Sequence, residues 1–89
     1  MVRLTVHFAG HVQGVGFRYT TAGVARGHDV TGYVQNLPDG RVLLVAEGQR
    51  EAVRAFVADV RETMADHIRD ASIDEAAASG EFRGFTIRR

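Results

Sequence analysis

The sequence predicts an α+β fold with the element order βαββαβ and a short C-terminal strand, in which two helices pack on one face of a mostly antiparallel sheet. Three observations predict it. Alternating apolar residues mark strands, apolar residues spaced by three and four mark an amphipathic helix, and a Pro-Asp-Gly turn separates two strands. No linker, repeat or low-complexity tract interrupts the chain. Residues 1–89 are therefore predicted to form a single domain.

The first half of the chain contains a strand, a loop and a helix. The strand is predicted over residues 3–9, where apolar and polar residues alternate and His7 points away from the core. A loop with two glycines follows. Residues 19–26 form the predicted first helix, which Gly27 ends in the left-handed conformation common at helix C-termini.

A hairpin comes next. Its strands are predicted over residues 30–35 and 41–47, and Gly32 marks a close approach of two backbones. The turn over residues 36–40 contains a proline, which fixes φ, and an Asp-Gly pair suited to a tight reversal, where Asp39 shapes the turn.

The last third is predicted to contain the second helix and two strands. Residues 49–64 carry one apolar stripe opposite a charged face, which is typical of an amphipathic helix. Residues 64–69 fit either a continuation of this helix or a loop. Residues 71–78 predict a strand with few strong strand formers, and Phe82, Phe85 and Ile87 predict a short final strand.

Composition excludes several classes of protein. Eleven basic and eleven acidic residues give no net charge, so there is no overall field that attracts nucleic acid or anionic lipid. The absence of cysteine excludes disulfides and thiolate metal sites. No apolar run matches a signal peptide or a membrane span. These features predict a soluble, cytoplasmic protein, by default a monomer.

The loop before the first helix is a candidate anion site. Gly14 and Gly16 can adopt backbone angles that turn successive N–H groups toward one point. Arg18 lies near the start of the helix, where the free N–H groups favour an anion and a guanidinium can form two hydrogen bonds to phosphate. The loop matches neither the Walker motif nor the dinucleotide-binding fingerprint.

Several ordered motifs together resemble the acylphosphatase family over nearly the whole chain. They are Gly10-x-Val12-Gln13-Gly14-Val15-Gly16-Phe17-Arg18, Gly32-Tyr33-Val34-x-Asn36, Asp39-Gly40-x-Val42, Glu47-Gly48 and Phe56. Members of this family typically carry a Gly-Pro-rich connection after the second helix. This chain differs there, with Thr63-Met64-Ala65-Asp66-His67-Ile68, which leaves the register of the fourth strand open.

The resemblance implies a small ferredoxin-like enzyme that hydrolyses acyl phosphates to a carboxylate and inorganic phosphate, without a metal or another cofactor. By resemblance, Arg18 binds the phosphate and Asn36 positions the attacking water. The phosphate-binding loop comprises Gln13, Gly14, Val15, Gly16, Phe17 and Arg18, which act through backbone N–H groups and the arginine side chain. The side chains of Gln13 and Phe17 are expected to hold the loop and fill the core.

Two alternatives remain at this point. The same family pattern occurs as an accessory domain at the start of larger hydrogenase-maturation carbamoyl transferases, which would make this a phosphate-binding domain without catalysis. An RNA-binding domain of the same topology would instead expose aromatic residues on its central strands. Tyr33 is the one aromatic residue predicted there, and the neutral charge weakens this alternative further.

Overall fold

The computed structural model describes all of residues 1–89. Its elements are, in chain order, β1 (Val2–Gly10), α1 (Phe17–Ala25), β2 (Thr31–Asn36), β3 (Val42–Gly48), α2 (Arg50–Thr63), β4 (Ile68–Ala77) and β5 (Phe85–Arg88). The strands form one sheet in the order β4-β1-β3-β2-β5. Every neighbouring pair is antiparallel except β2 with β5. The predicted α+β, ferredoxin-like arrangement is confirmed.

The core lies between the two helices and one face of the sheet. Alternate residues of β1 are buried on that face, and the polar residues between them, including His7, lie on the other, as predicted. The stripe of α2 is buried against β1 and β3. The largest fully buried side chains include Phe8, Phe17, Phe56 and Leu44. Neither helix is long and apolar enough to cross a membrane.

Helix α1 differs from the prediction at both ends. It begins at Phe17 rather than Tyr19, because Gly16 precedes it in a left-handed conformation (φ 75°) and Phe17 turns into the core. The prediction for Gly27 is wrong, since its φ is not positive. The helix closes instead through Arg26 in a right-handed conformation. The Arg26 N–H donates to the Gly23 carbonyl, and the Gly27 N–H donates to the Val24 carbonyl.

The β2–β3 hairpin has the predicted form. A Cβ on Gly32 (φ 144°) would overlap the carbonyl of Val45, so the two backbones approach as closely as expected there. In the turn, the Asp39 carboxylate accepts hydrogen bonds from the Arg41 N–H at 3.0 Å and from its Nε at 2.8 Å. The hairpin therefore ends β2 at Asn36 in a fixed position.

Strand β4 begins earlier than predicted. Helix α2 ends at Thr63, a short turn follows, and β4 runs over ten residues from Ile68. It pairs with β1 along almost its whole length, with one register shift between Ala9 and Gly10. Backbone pairing, rather than strand-forming side chains, thus stabilises this edge of the sheet.

The connection from β4 to β5 is held by Glu47, whose side chain is only 3% exposed. Its carboxylate lies 2.7 Å from the Arg3 Nε and accepts hydrogen bonds from the N–H groups of Ser79 and Gly80. Burial raises the pKa of this carboxyl, but the hydrogen bonds from Ser79, Arg3 and Gly80 outweigh burial and lower it from 4.5 to about 2.

Candidate active site

A small cavity of about 160 Å³ opens where β1, α1 and β2 meet. Its wall includes Gly14 and Gly16 from the loop after β1, and Arg18 and Tyr19 from the first turn of α1. Val12 and Phe17 contribute to it from the core, and Asn36 closes it from the end of β2. The fold thus brings together Arg18 and Asn36, the two residues that the sequence singled out.

The loop presents its backbone to this cavity. Gly14 has φ 79° and Gly16 has φ 75°, conformations that residues with a Cβ rarely adopt. None of the backbone N–H groups of residues 13–19 donates a hydrogen bond to another backbone or side-chain group of the protein. These N–H groups lie at the N-terminus of α1, where the helix dipole favours a negative charge. The arrangement suits an anion.

The Arg18 side chain is half-buried and held from one side. Its Nη1 donates a hydrogen bond of 3.1 Å to the carbonyl of Arg88 in β5. A guanidinium has five N–H donors, so the remaining ones stay available to an anion in the cavity. Arg88 is fixed in turn, because its guanidinium carbon lies 3.6 Å from the centre of the Tyr33 ring.

Gln13 and Phe17 hold the loop as predicted. The Nε2 of Gln13 donates to the carbonyls of Leu37 at 2.8 Å and Arg41 at 3.0 Å. The Phe17 ring is 2% exposed and lies 5.1 Å from the ring of Phe8. Neither Gln13 nor Val15 belongs to the cavity wall, and Val15 packs against the core.

The side chain of Asn36 makes no hydrogen bond within the protein, although the residue is half-buried at the end of β2. Its amide offers both a donor and an acceptor but no useful base at neutral pH. Such a group can orient a bound molecule without accepting its proton.

The cavity wall contains no carboxylate and no histidine. Asp39, in the turn that follows Asn36, forms an ion pair with Arg41. Hydrogen bonds from the backbone and side chain of Arg41 lower the pKa of the Asp39 carboxyl. No group of three or more histidine, aspartate or glutamate residues is arranged to hold a metal ion. The chemistry available at the site is therefore binding, orientation and charge stabilisation.

Two residues at the site were not found by sequence reasoning. Arg88 reaches Arg18 only through the parallel pairing of β5 with β2, which no local pattern encodes. Tyr19 lies in the wall of the cavity and is 74% exposed. The only sequence signal for Tyr19 was its position next to Arg18.

Comparison with known proteins identifies the family. The family model described as acylphosphatase matches residues 4–87. The chain belongs to the acylphosphatase family. A curated acylphosphatase from Methanospirillum hungatei is 38% identical over 91 residues, covering 100% of this chain and 99% of that protein. As an acylphosphatase, the chain is a hydrolase, and its family implies a small-molecule acyl phosphate as substrate and phosphate as product.

Solved structures support the same family assignment. The crystal structure of acylphosphatase from Bacillus subtilis is similar, with a TM-score of 0.89, 32% identity and 100% of both chains covered. HypF from T. kodakarensis contains a similar segment, with a TM-score of 0.84 and 32% identity over all of this chain but only 12% of HypF. The acylphosphatase fold thus occurs both as a whole chain and as part of a larger one.

Proposed function

We propose that this acylphosphatase hydrolyses acyl phosphates by direct in-line attack of water on phosphorus. Arg18 and the backbone N–H groups of the 13–18 loop bind the phosphate, and Asn36 holds the water. The observation that carries the proposal is that Arg18, Asn36 and the two loop glycines share one small cavity.

Phosphate binding rests on two kinds of donor. The loop N–H groups have no protein partner, and the guanidinium of Arg18 uses one donor on the Arg88 carbonyl. Both kinds of donor are fixed before the substrate arrives. They can therefore stabilise the charge on the equatorial phosphate oxygens of the transition state without reorganising.

Asn36 positions the nucleophile. A water that hydrogen-bonds to the Asn36 amide attacks phosphorus on the side opposite the acyl oxygen, as the bond between phosphorus and that oxygen breaks. The carboxylate leaves with the bonding electron pair. The proton from water goes to a phosphate oxygen or to solvent, since an amide does not accept it.

The leaving group explains why so few residues suffice. A carboxylate is a stable anion, so its departure needs no general acid, and the cavity wall contains no histidine or carboxyl group that would act as one. The wall contains no histidine or carboxylate to act as a nucleophile, so direct attack by water is favoured over a phosphoenzyme. The reaction is proposed to need no metal or other cofactor.

The test is hydrolysis of benzoyl phosphate by purified protein in EDTA, with Arg18→Ala and a matched control beside the wild type. Arg83→Ala is that control, because Arg83 is exposed and forms no ion pair. We expect turnover by wild type and control, and a loss of about 10²- to 10³-fold in Arg18→Ala. Wild-type turnover by Arg18→Ala would contradict the proposed site, and abolition by EDTA would contradict metal independence.

The similarity to a segment of HypF favours a second candidate, a phosphate-binding accessory domain without catalysis. The same preparation separates the two functions. Binding of inorganic phosphate, measured by calorimetry, with no hydrolysis of benzoyl phosphate by folded wild-type protein would support the accessory domain.

All residues of the proposed site belong to one chain, and we propose that the monomer is active. A monomeric state and a cytoplasmic location remain predictions. Sedimentation velocity at the assay concentration tests the first of them.

A further inference from the structure

The cavity is small compared with the substrate proposed above. Its volume is about 160 Å³, whereas sites that enclose drug-sized ligands span about 300–1,000 Å³. If the phosphate occupies the cavity beside Arg18 and Asn36, little space remains for the acyl group. The acyl group must then lie at the mouth of the cavity, against the side chains of the cavity wall that are exposed there.

Only one side chain of the wall offers unused apolar surface at the mouth. Val12 and Phe17 are buried in the core, at 0% and 2% exposure, and the glycines have no side chain. Arg18 and Asn36 are the polar groups already assigned to phosphate and water. Tyr19 is 74% exposed, which leaves most of its ring open to solvent.

The position of Tyr19 in α1 determines the side of the helix from which its side chain projects. The helix buries Phe17, Thr21 and Ala25, which are spaced by four residues along one face. Tyr19 follows Phe17 by two residues, so it projects about 200° around the helix from that face. Its hydroxyl makes no hydrogen bond within the protein, and its ring forms no aromatic pair and no cation–π contact.

We propose that Tyr19 is a specificity-determining residue whose ring contacts the acyl group and favours aromatic acyl phosphates over small aliphatic ones. The proposal rests on the proposed function, because it assumes that the phosphate binds beside Arg18. Tyrosine suits this role, since a rigid aromatic ring gains from stacking or edge contacts with another ring. A short acyl group such as acetyl cannot reach over the ring and gains little from it.

The test compares kcat/KM for benzoyl phosphate and acetyl phosphate in wild type, Tyr19→Ala and Tyr19→Phe. The measured quantity is the preference, the ratio of the two kcat/KM values. We expect Tyr19→Ala to lower the preference about two- to tenfold, the usual effect of one aromatic contact, through KM for benzoyl phosphate rather than through kcat. Tyr19→Phe keeps the ring and is expected to keep the preference.

Ile73→Ala provides a matched control, because Ile73 is another exposed apolar residue, 43% exposed, on β4 away from the cavity. Alanine is a good helix former, so Tyr19→Ala is expected to fold. An unchanged preference in Tyr19→Ala, or an equal fall in Tyr19→Phe, would overturn the role of the ring. Failure of wild type to hydrolyse either compound is a different result and would overturn the proposed function instead.

Discussion

The side-chain Nε2 of Gln13 lies 2.8 Å from the carbonyl oxygen of Leu37, and this hydrogen bond joins the two halves of the site. Gln13 belongs to the loop that precedes Arg18, and Leu37 directly follows Asn36. A second hydrogen bond from the same amide to the Arg41 carbonyl closes the base of the hairpin turn. The distance between the proposed phosphate and water sites thus depends on one glutamine.

Gln13→Ala is therefore expected to reduce kcat although its side chain is absent from the cavity wall. Misplacing a reacting group by 1 Å can cost about 10²-fold, so we expect a loss of about 10- to 100-fold in steady-state assays. The unfolding free energy should fall by about 1 kcal/mol. Gln49→Ala, at a glutamine whose side chain makes no capping hydrogen bond, is the control. Full activity in Gln13→Ala would show that the loop holds its position without this residue.

Asn36→Ala separates binding from turnover. Since Asn36 is assigned to water and Arg18 to phosphate, we expect calorimetry to give a phosphate affinity close to that of wild type. The value of kcat should fall about 10²-fold, the loss expected when a reacting group is misplaced by about 1 Å. Gln35→Ala removes the adjacent amide, which donates to the Arg89 carbonyl instead, and serves as control. A parallel loss of phosphate affinity and kcat would make Asn36 a structural residue.

Gly14→Val tests the loop backbone. No atom lies within 4 Å of a Cβ built at Gly14, so the expected damage comes from its φ of 79° rather than from a clash. We expect the loss of about 1–2 kcal/mol of stability that a left-handed conformation costs an L-residue, together with weaker phosphate binding in the same titration. Gly23→Ala, in a helix with equally open space, should instead stabilise the protein by about 1 kcal/mol. Unchanged phosphate affinity in Gly14→Val would argue against a backbone cradle.

Glu47 makes the free energy of unfolding depend on pH. Its pKa is lowered in the folded state from 4.5 to about 2, so its stabilisation is complete above pH 4.5 and is lost as the pH falls toward 2. At about 1.4 kcal/mol per pKa unit, the contribution at neutral pH is about 3 kcal/mol. Urea unfolding of wild type and Glu47→Gln should differ by roughly this amount at pH 7 and converge near pH 2. If the difference in unfolding free energy between the two proteins stays constant with pH, the Glu47 carboxylate is not the source of the stabilisation.

Asp74→Asn is a suitable control for that experiment, because Asp74 lies exposed on β4 and forms no ion pair. Its unfolding free energy should follow the wild-type curve over the same pH range.

Local patterns predicted most of the fold because each strand and helix carries its own signal. The apolar alternation of β1, the Asp-Gly turn and the stripe of α2 all depend on neighbours in sequence. The start of α1 was missed because the left-handed Gly16 sets it, and no apolar period marks the step from the glycine loop to Phe17. The start of β4 was missed because pairing with β1, rather than residue type, forms that strand.

The candidate site could be predicted only in part for a related reason. Gly14, Gly16 and Arg18 lie in one short segment, and the family resemblance added Asn36. The hydrogen bond from Arg18 to Arg88 depends on which strands become neighbours in the sheet. Likewise, the sequence shows Glu47 only as a charged residue near the end of a strand. Its burial depends on the distant segment whose Ser79 and Gly80 N–H groups donate to its carboxylate.

The hydrogen bond between Arg18 and Arg88 also bears on when the site matures during protein synthesis. The two residues are 70 positions apart, and β5 is the last strand along the chain. Chains are made from the N-terminus, so the loop leaves the ribosome well before β5 exists. A nascent chain can therefore form the β1–loop–α1 segment early, yet its arginine stays unanchored until β5 pairs with β2. Closing a loop of this length is entropically costly, so we expect catalytic competence to trail the appearance of helical structure.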